Sequence, residues 1–348
     1  MTFAGEVKNA VTVRAALLVV GVLALQLLFI ASYVGALHRP DPTDVPFGVV
    51  APKQMSQRLI TQLDGLPGGP LDPRAVSDAA EARKKVMNRD LDGALVVDAG
   101  GTTDTLLVAS GGGTALANSL GKIVKQAETP QHRTVRTVDV APASPDDFNG
   151  LSSFYLVVGW CVGGYLCASI LAISAGAKPA NRQRALIRTG AMALYSVAGG
   201  IGGAVVVGPI LGALPGSLWG LAGLGTLVVF AVGMITLALE ALTGIVGIGL
   251  AVLIIVVAGN PSAGGAFPLP MLPEFWRAIG PALPPGAGTW VARSIAYFQG
   301  NAVTGPLLVL SAWAVVGTAL SLLLSMRRGA DKEGPWAATE ADTPAPMS

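Results

Sequence analysis

The 348-residue chain is 52% hydrophobic and only 13% charged, whereas soluble domains carry about a quarter charged residues, so its composition indicates a membrane protein. Its net charge of +2 is too small to suggest a nucleic-acid-binding surface. The two cysteines, Cys161 and Cys167, lie in one apolar run and exclude a disulfide framework or a thiolate metal cluster. The two histidines are too few and too distant in sequence for a metal site.

Residues 1–37 predict a short cytoplasmic N-terminus and a first transmembrane helix. Lys8 and Arg14 precede the apolar run Ala15–Leu37, which has roughly the 20 residues needed to cross a bilayer. Residues 34–36, Val-Gly-Ala, resemble a signal-peptidase site, so a cleaved signal is the alternative. Signal cores are about 7–15 residues long, and this run is longer, which favours an uncleaved helix with its basic end in the cytoplasm.

Residues 38–150 have the character of a soluble segment and predict a small extracytoplasmic α/β domain. Short β-like runs alternate with helical patterns, and Ser77 is a candidate N-cap. The predicted strands are 45–50, 94–97, 105–109 and 134–140, and the predicted helices are 53–63, 77–88 and 114–127. A domain of this size can bury a core of its own.

A glycine triplet, Gly111–Gly112–Gly113, precedes the last of these helices. A Walker phosphate loop requires Gly-x-x-x-x-Gly-Lys followed by Ser or Thr, but Leu stands at 116 and Ile123 follows Lys122. The triplet therefore predicts only a turn that leads into a helix. Asp146 and Asp147, ahead of the next apolar run, predict a hydrated turn.

Residues 151–326 predict five further transmembrane helices, at 151–174, 190–214, 217–239, 241–258 and 303–326. Glycines crowd the second of these five, which indicates either close helix packing or simply a glycine-rich composition. The loop 175–189 is basic, so the positive-inside rule places it in the cytoplasm. Its cations are Lys178, Arg182, Arg184 and Arg188.

The cytoplasmic side is marked twice more along the chain. Glu240 falls at the inner junction of two predicted helices, and we expect a solvated turn carboxylate there, with contact to the basic loop or to a cytoplasmic partner as the alternative. Basic residues follow the last apolar run, and the Pro-, Ala- and acid-rich tail 327–348 predicts disorder.

Residues 259–301 are both apolar and rich in proline, which excludes a continuous spanning helix. Two short amphipathic helices, 272–279 and 289–298, predict a re-entrant segment on the outer side, because broken backbone at membrane depth must pack against protein or line a wet cavity. The alternative is an interfacial loop with its aromatic residues at the headgroup level, namely Trp276, Trp290, Tyr297 and Phe298.

The cores of all six predicted spans lack Asp, Glu, Lys, Arg and His. Proton pumps and ion-coupled carriers use ionisable residues at such depths, and a charged-ring channel needs them too, so both are disfavoured. We find no catalytic, cofactor-binding or metal-binding motif. If the protein transports something, a separate polypeptide has to supply the energy.

Three passages carry a family resemblance: AEARKKVMNRDLDGALVV at 80–97, GNPSAGGAFPLPMLP at 259–273, and FWRAIGPALPPGAGTWVARSIAYF at 275–298. With the six-span topology, they resemble the permease subunit of a type-2 ABC exporter, in the phage-infection-protein (Pip/YhgE-like) branch. The domain at 38–150 is smaller than in many members of that branch.

The resemblance implies a dimer of permeases, formed with a second copy or a paralogue, in a bacterial inner membrane, with both termini cytoplasmic. It implies a separate ATP-binding subunit that docks on the loop 175–189, through Lys178, Arg182, Arg184 and Arg188. The outer segment 259–301 would act as a gate, with Trp276, Trp290, Pro284 and Pro285 as hinge or anchor residues. The substrate would be amphipathic or lipid-like, with membrane lipids as surroundings.

A second hypothesis comes from a different class. The chain would be a scaffold that transports nothing and displays the domain at 38–150 to cell-envelope or secretion-system partners. The two hypotheses differ in the basic loop, since a transporter needs it docked to an ATPase and a scaffold needs only its charge.

Overall fold

The computed structural model describes residues 12–176 and 182–332, without the side chains of residues 14, 175, 182 and 326–332. The protein consists of an α/β domain and a bundle of apolar helices. Three predicted features lie wholly or mostly outside the described residues. They are the cytoplasmic N-terminus at residues 1–11, Lys178 of the basic loop, and most of the tail 327–348.

The domain is a five-stranded mixed sheet in the order β2-β1-β3-β4-β5. The β1 strand pairs in parallel with β2 and β3, β4 is antiparallel to β3, and β5 is parallel to β4. The strands are β1 (Val45–Val50), β2 (Leu71–Ala75), β3 (Gly93–Val96), β4 (Thr103–Val108) and β5 (Thr134–Asp139).

Helices cover both faces of this sheet. Alternate strand residues such as Phe47 and Leu106 pack beneath α2 (Lys53–Asp64) and α4 (Thr114–Glu128), while Ala94 and Leu107 pack beneath α3 (Ala79–Met87). Successive apolar residues point to opposite faces of a strand, so the consecutive buried residues of β1 and β4 fit a sheet that is covered on both faces. The domain therefore has two small cores, one on each side of the sheet.

Two local expectations for the domain need correction. The N-cap of α3 is Asp78, whose carboxylate accepts a hydrogen bond from the Glu81 amide at 2.8 Å, and not Ser77. A carboxylate suits a helix N-terminus because it also meets the positive end of the helix dipole. Strand β2 was not predicted because Pro73 stands in its middle; β2 lies at the sheet edge, where a proline is tolerated.

Within the described residues, five helices are long and apolar enough to cross a membrane. The chain is thus a multi-pass helical membrane protein. These helices are α1 (Val13–Leu37), α5 (Ser152–Ala175), α6 (Arg182–Val205, continued as a π-helix over Val206–Ile210), α7 (Leu218–Thr243) and α11 (Thr304–Lys332).

Helix α7 is the centre of the bundle. Most of its length is buried, and it packs against α5, α6 and α11. Of the two readings left open for the glycines of α6, close packing holds at Gly200, where a Cβ would lie 2.5 Å from the Ala222 carbonyl oxygen. The indole of Trp160 donates a hydrogen bond to the Gly199 carbonyl at 3.0 Å. In contrast, α1 is almost entirely exposed.

The prediction of a sixth span is not confirmed. Helix α7 continues through residues predicted for the next span and ends only at Gly244, whose φ of +68° favours glycine. The following apolar helix covers only Val246–Ser262, as α8 (Val246–Val252), a π-helical stretch (Leu253–Gly259) and a final turn (Asn260–Ser262). The predicted loop 175–189 is also shorter, because α6 begins at Arg182.

Candidate functional site: the junction of the sheet domain and the hairpin segment

Residues 259–301, called here the hairpin segment, contain two helices, α9 (Glu274–Ile279) and α10 (Pro284–Tyr297). Pro284 and Pro285 form the first turn of α10 and are buried, and the Pro285 ring packs on Gly259. Proline suits this position because the first helical turn needs no intrahelical donor. Most of α10 is buried, so the segment is packed protein structure and not a solvated loop.

The glycine triplet of the domain is the surface on which α10 rests. A Cβ on Gly111 would collide with the ring of Tyr297, and one on Gly112 would lie 3.3 Å from the ring of Phe298. Gly113 meets Pro268 in the same way. The sequence predicted only a turn here, yet the triplet also lets the domain and the hairpin segment approach closely.

Arg293 ties the hairpin segment together from within. Its Nη1 donates to the Gly264 carbonyl at 2.7 Å, and its Nη2 donates to the carbonyls of Gly265 at 2.7 Å and Gly150 at 3.1 Å. The side chain is only 3% exposed. A buried guanidinium is stable where its donors meet oriented acceptors, so this side chain fixes α10 to two separate loops.

Asp147 lies next to this tie, and the expectation of a hydrated turn at this position is wrong. The carboxylate is 2% exposed and accepts hydrogen bonds from the Tyr297 hydroxyl and, at 2.7 Å, from the Ser152 amide. Burial, followed by this bond to Asp147, raises the pKa of Tyr297. The tyrosine therefore remains a hydrogen-bond donor at neutral pH and links α10 to the start of α5.

Arg89 reaches across from the domain. Its Nη1 donates to the Trp290 carbonyl and to the Ser294 hydroxyl, both at 2.9 Å. Its guanidinium carbon lies 3.4 Å from the centre of the Trp290 ring and 4.8 Å from that of Phe298. A cation over aromatic faces is attracted by their quadrupoles, most strongly where water is excluded.

A cavity of about 620 Å³ lies between the domain and the hairpin segment. Its wall is mostly apolar, made of proline, glycine and alanine residues together with Leu269 and Trp290. Three charged side chains line it: Arg89, Asp92 and Arg293.

Burial sets the ionisation of these three groups. It lowers the pKa of Arg89 to about 9 and that of Arg293 to about 10, so both stay cationic at neutral pH. It raises the pKa of Asp92 to about 6, against the opposing effect of Arg89. At neutral pH, the lining thus carries two cations and one carboxylate.

Of the predicted gate residues, the structure brings only Trp290 to this cavity. The Trp290 indole donates to the Ala302 carbonyl at 2.9 Å. Trp276 is half-buried in α9, edge-on to Phe275, and is not part of the cavity wall. Pro284 and Pro285 lie in the turn directly before the lining residue Gly286.

The predicted cytoplasmic residues lie at the opposite end of the bundle. Arg182 begins α6, its side chain being outside the described residues; Arg184 is exposed, and Arg188 is buried with Nη2 donating to the Gly176 carbonyl at 2.7 Å. Glu240 is 1% exposed, so the expectation of a solvated turn is wrong. Its charge acts on the buried Arg188 of α6.

Sequence reasoning missed the charged lining, Arg89, Asp92 and Arg293. Arg89 and Trp290 are 201 positions apart, and no local pattern joins them. One signal was present: Arg293 stands within an otherwise apolar stretch, where a charge is costly unless the fold pairs it.

Comparisons with known proteins give no relative: no family model matches the chain, and no curated protein or solved structure matches it.

Proposed function

We propose that the chain is the permease subunit of an ABC-type exporter, which moves an amphipathic or lipid-like substrate outward with energy from a separate ATPase subunit. The observation that carries the proposal is the cavity between the sheet domain and the buried hairpin segment. Broken backbone at membrane depth is tolerated where it packs against protein or lines a cavity, and this proline-rich segment does both, which supports its use as a gate. The resemblance in residues 80–97 and 259–298 supports the same function.

In this proposal the sheet domain and the hairpin segment lie outside a bacterial inner membrane, and both termini are cytoplasmic. The hairpin segment is the outer gate, with Pro284 and Pro285 as its hinge and Trp290 at the cavity. A second permease copy or a paralogue completes the path. The exposed apolar surface of α1 leaves room for that partner or for lipid.

The cytoplasmic ATPase subunit docks on the basic segment between α5 and α6. Arg184 is exposed at the start of α6 and is suited to contact a partner, together with Lys178 and Arg182. Arg188 has a different role, because its buried side chain donates to the Gly176 carbonyl at the end of α5 and the charge of Glu240 on α7 acts on it. Movement of the docked subunit would therefore reach the bundle through this buried pair.

The test is a pull-down from native membranes in mild detergent, with the co-eluting proteins identified. We expect a stoichiometric nucleotide-binding subunit that is lost in the Lys178→Glu/Arg184→Glu variant and retained in Arg83→Glu, which reverses an exposed charge on the sheet domain. A complex that survives reversal of both inner charges would refute the docking assignment. Failure to recover any ATPase would refute the exporter itself.

The scaffold is the second candidate, and one observation favours it. Arg89 and Arg293 join the hairpin segment to the domain through three hydrogen bonds, and Arg293 makes two more within the segment, which suits a rigid display platform. If the same pull-down yields only envelope proteins, and deletion of residues 38–150 releases them, the scaffold explains the protein and the hairpin segment is an anchor.

A further inference from the structure

The charged side chains of the cavity lining keep hydrogen-bonding capacity that the described residues do not use. Arg89 uses only Nη1 for its hydrogen bonds to the hairpin segment, so its Nη2 and Nε remain for another acceptor. The Nε of Arg293 is buried and has no hydrogen-bond partner among the described residues. None of the described residues donates a hydrogen bond to the Asp92 carboxylate. Buried polar groups are normally satisfied, so the buried Nε of Arg293 indicates a missing partner, and the free nitrogens of Arg89 are available to the same partner.

The charge of the lining favours an anion. Two guanidinium groups and one carboxylate line the cavity, which gives a net charge of +1 at neutral pH. Asp147, the next carboxylate, is not part of the lining, and its oxygens are held by Tyr297 and the Ser152 amide. A guanidinium that faces a low-dielectric space binds a carboxylate or phosphate more strongly than it would in water.

The remainder of the lining suits an alkyl chain. Proline, alanine and glycine residues form most of the wall, and Thr304 to Pro306 at the start of α11 complete it. The volume of about 620 Å³ lies within the range of roughly 300–1,000 Å³ that small-molecule sites occupy. The cavity therefore combines a cationic position with an apolar wall at the end of a membrane-spanning helix.

We propose that this cavity binds an anionic amphiphile, with its phosphate or carboxylate head on Arg89 and its chain along the apolar wall. That this amphiphile is the exported substrate rests on the proposed function. That the cavity binds it does not. Arg293 holds the hairpin segment in place and adds its Nε beside the head group. Trp290 closes the wall behind Arg89 through the cation–π contact.

Asp92 determines the specificity of this site. As the only carboxylate of the lining, it opposes an anionic head and would attract a head that also carries a cation. Its replacement by asparagine therefore strengthens the binding of a purely anionic amphiphile and weakens the binding of a zwitterionic one. This opposite response separates the two ligand classes, and a general loss of folding does not produce it.

The experiment is a scintillation-proximity binding assay on the full chain, purified in a nonionic detergent, with ³²P-labelled dodecyl phosphate. Unlabelled dodecyl phosphate, phosphatidic acid, dodecylphosphocholine and inorganic phosphate serve as competitors. We expect saturable binding, displaced by dodecyl phosphate or phosphatidic acid and not by inorganic phosphate. Stronger competition by phosphatidic acid identifies a two-chain lipid as the source, and stronger competition by dodecyl phosphate a single-chain amphiphile.

Arg89→Gln is expected to weaken binding about tenfold, as the loss of a charge-assisted hydrogen bond requires, and Arg89→Lys to restore part of it. Asp92→Asn is expected to strengthen binding. The control Arg83→Gln removes an exposed charge from the same domain and leaves binding unchanged. Gel filtration of each variant checks that it remains folded.

Three results would overturn the inference. Equal binding by the parent and by Arg89→Gln would place the amphiphile elsewhere on the apolar surface. Weaker binding of dodecyl phosphate by Asp92→Asn would contradict the assigned charge preference. If inorganic phosphate competed as strongly as dodecyl phosphate, the cavity would bind the anionic head alone, and the alkyl chain would contribute nothing. Because the assay contains no ATPase, Arg89-dependent binding together with an empty pull-down would keep this inference and refute the exporter.

Discussion

Replacing Arg293 by methionine tests whether the hairpin segment is held by a buried charge. The substitution removes three hydrogen bonds from a charged donor, each contributing about 1.5–3 kcal/mol, and leaves three carbonyls without that donor. Burial of the guanidinium offsets part of this, so we expect a net loss of about 3–5 kcal/mol. At roughly 2 °C per kcal/mol for a chain of this size, the Tm falls by 6–10 °C.

The assay is thermal unfolding of the purified chain in mild detergent, with Arg277→Met as the matched control. Arg277 lies on the same hairpin segment and contacts the domain, but it is partly exposed, with one hydrogen bond to the Thr43 carbonyl and an ion pair with Asp44 at 3.5 Å. Such a pair contributes less than about 1 kcal/mol. Equal Tm shifts for the two variants would refute this prediction. They would show that the buried Arg293 contributes no more to the free energy of unfolding than the partly exposed Arg277.

Three further predictions concern packing, pH and the inner charge pair. Gly111→Ala is expected to destabilise the protein by about 1–3 kcal/mol, because the new methyl group collides with the ring of Tyr297. The control Gly121→Ala has open space around it in α4 and is expected to be neutral or stabilising. Melting curves of the two variants test this difference. Because the folded pKa of Asp92 is about 6, above its unfolded value of roughly 3.9, the native state binds more protons between these values. The free energy of unfolding is therefore expected to fall by at most about 3 kcal/mol as pH rises from roughly 4 to 6. Asp92→Asn is expected to flatten the slope of Tm against pH. An unchanged slope in that variant would refute the assignment of this pH dependence to Asp92. The double variant Arg188→Gln/Glu240→Gln is expected to lose about 1–3 kcal/mol less than the two single variants summed, and an additive double-mutant cycle would show that the two charges do not interact.

Much of the fold could be predicted from local pattern. The strand at Val45–Val50 was predicted at its exact limits, because apolar residues follow one another there between polar turns. The long apolar helices were predicted because about 20 apolar residues in sequence have few other stable structures in a bilayer. Strand β2 was missed because Pro73 argues against a strand, and only its place at the sheet edge makes that proline acceptable.

The site itself could be predicted only in part. Proline and glycine indicated a broken segment at residues 259–301, and its two helices lie close to the predicted positions. The cavity depends on pairings between distant segments, such as Arg89 with Trp290 and Gly111 with Tyr297, which no local pattern reveals. Glu240 was expected in solvent because it falls at the end of an apolar run, whereas packing of α7 against its neighbours buries it.

The measurement that tests the central claim most directly is ATP hydrolysis in material isolated from native membranes through this chain. The account predicts hydrolysis that remains with the chain through gel filtration, is stimulated by dodecyl phosphate, and disappears in the Lys178→Glu/Arg184→Glu variant. Material that contains the intact chain but hydrolyses no ATP would contradict the assignment of this protein as an exporter permease.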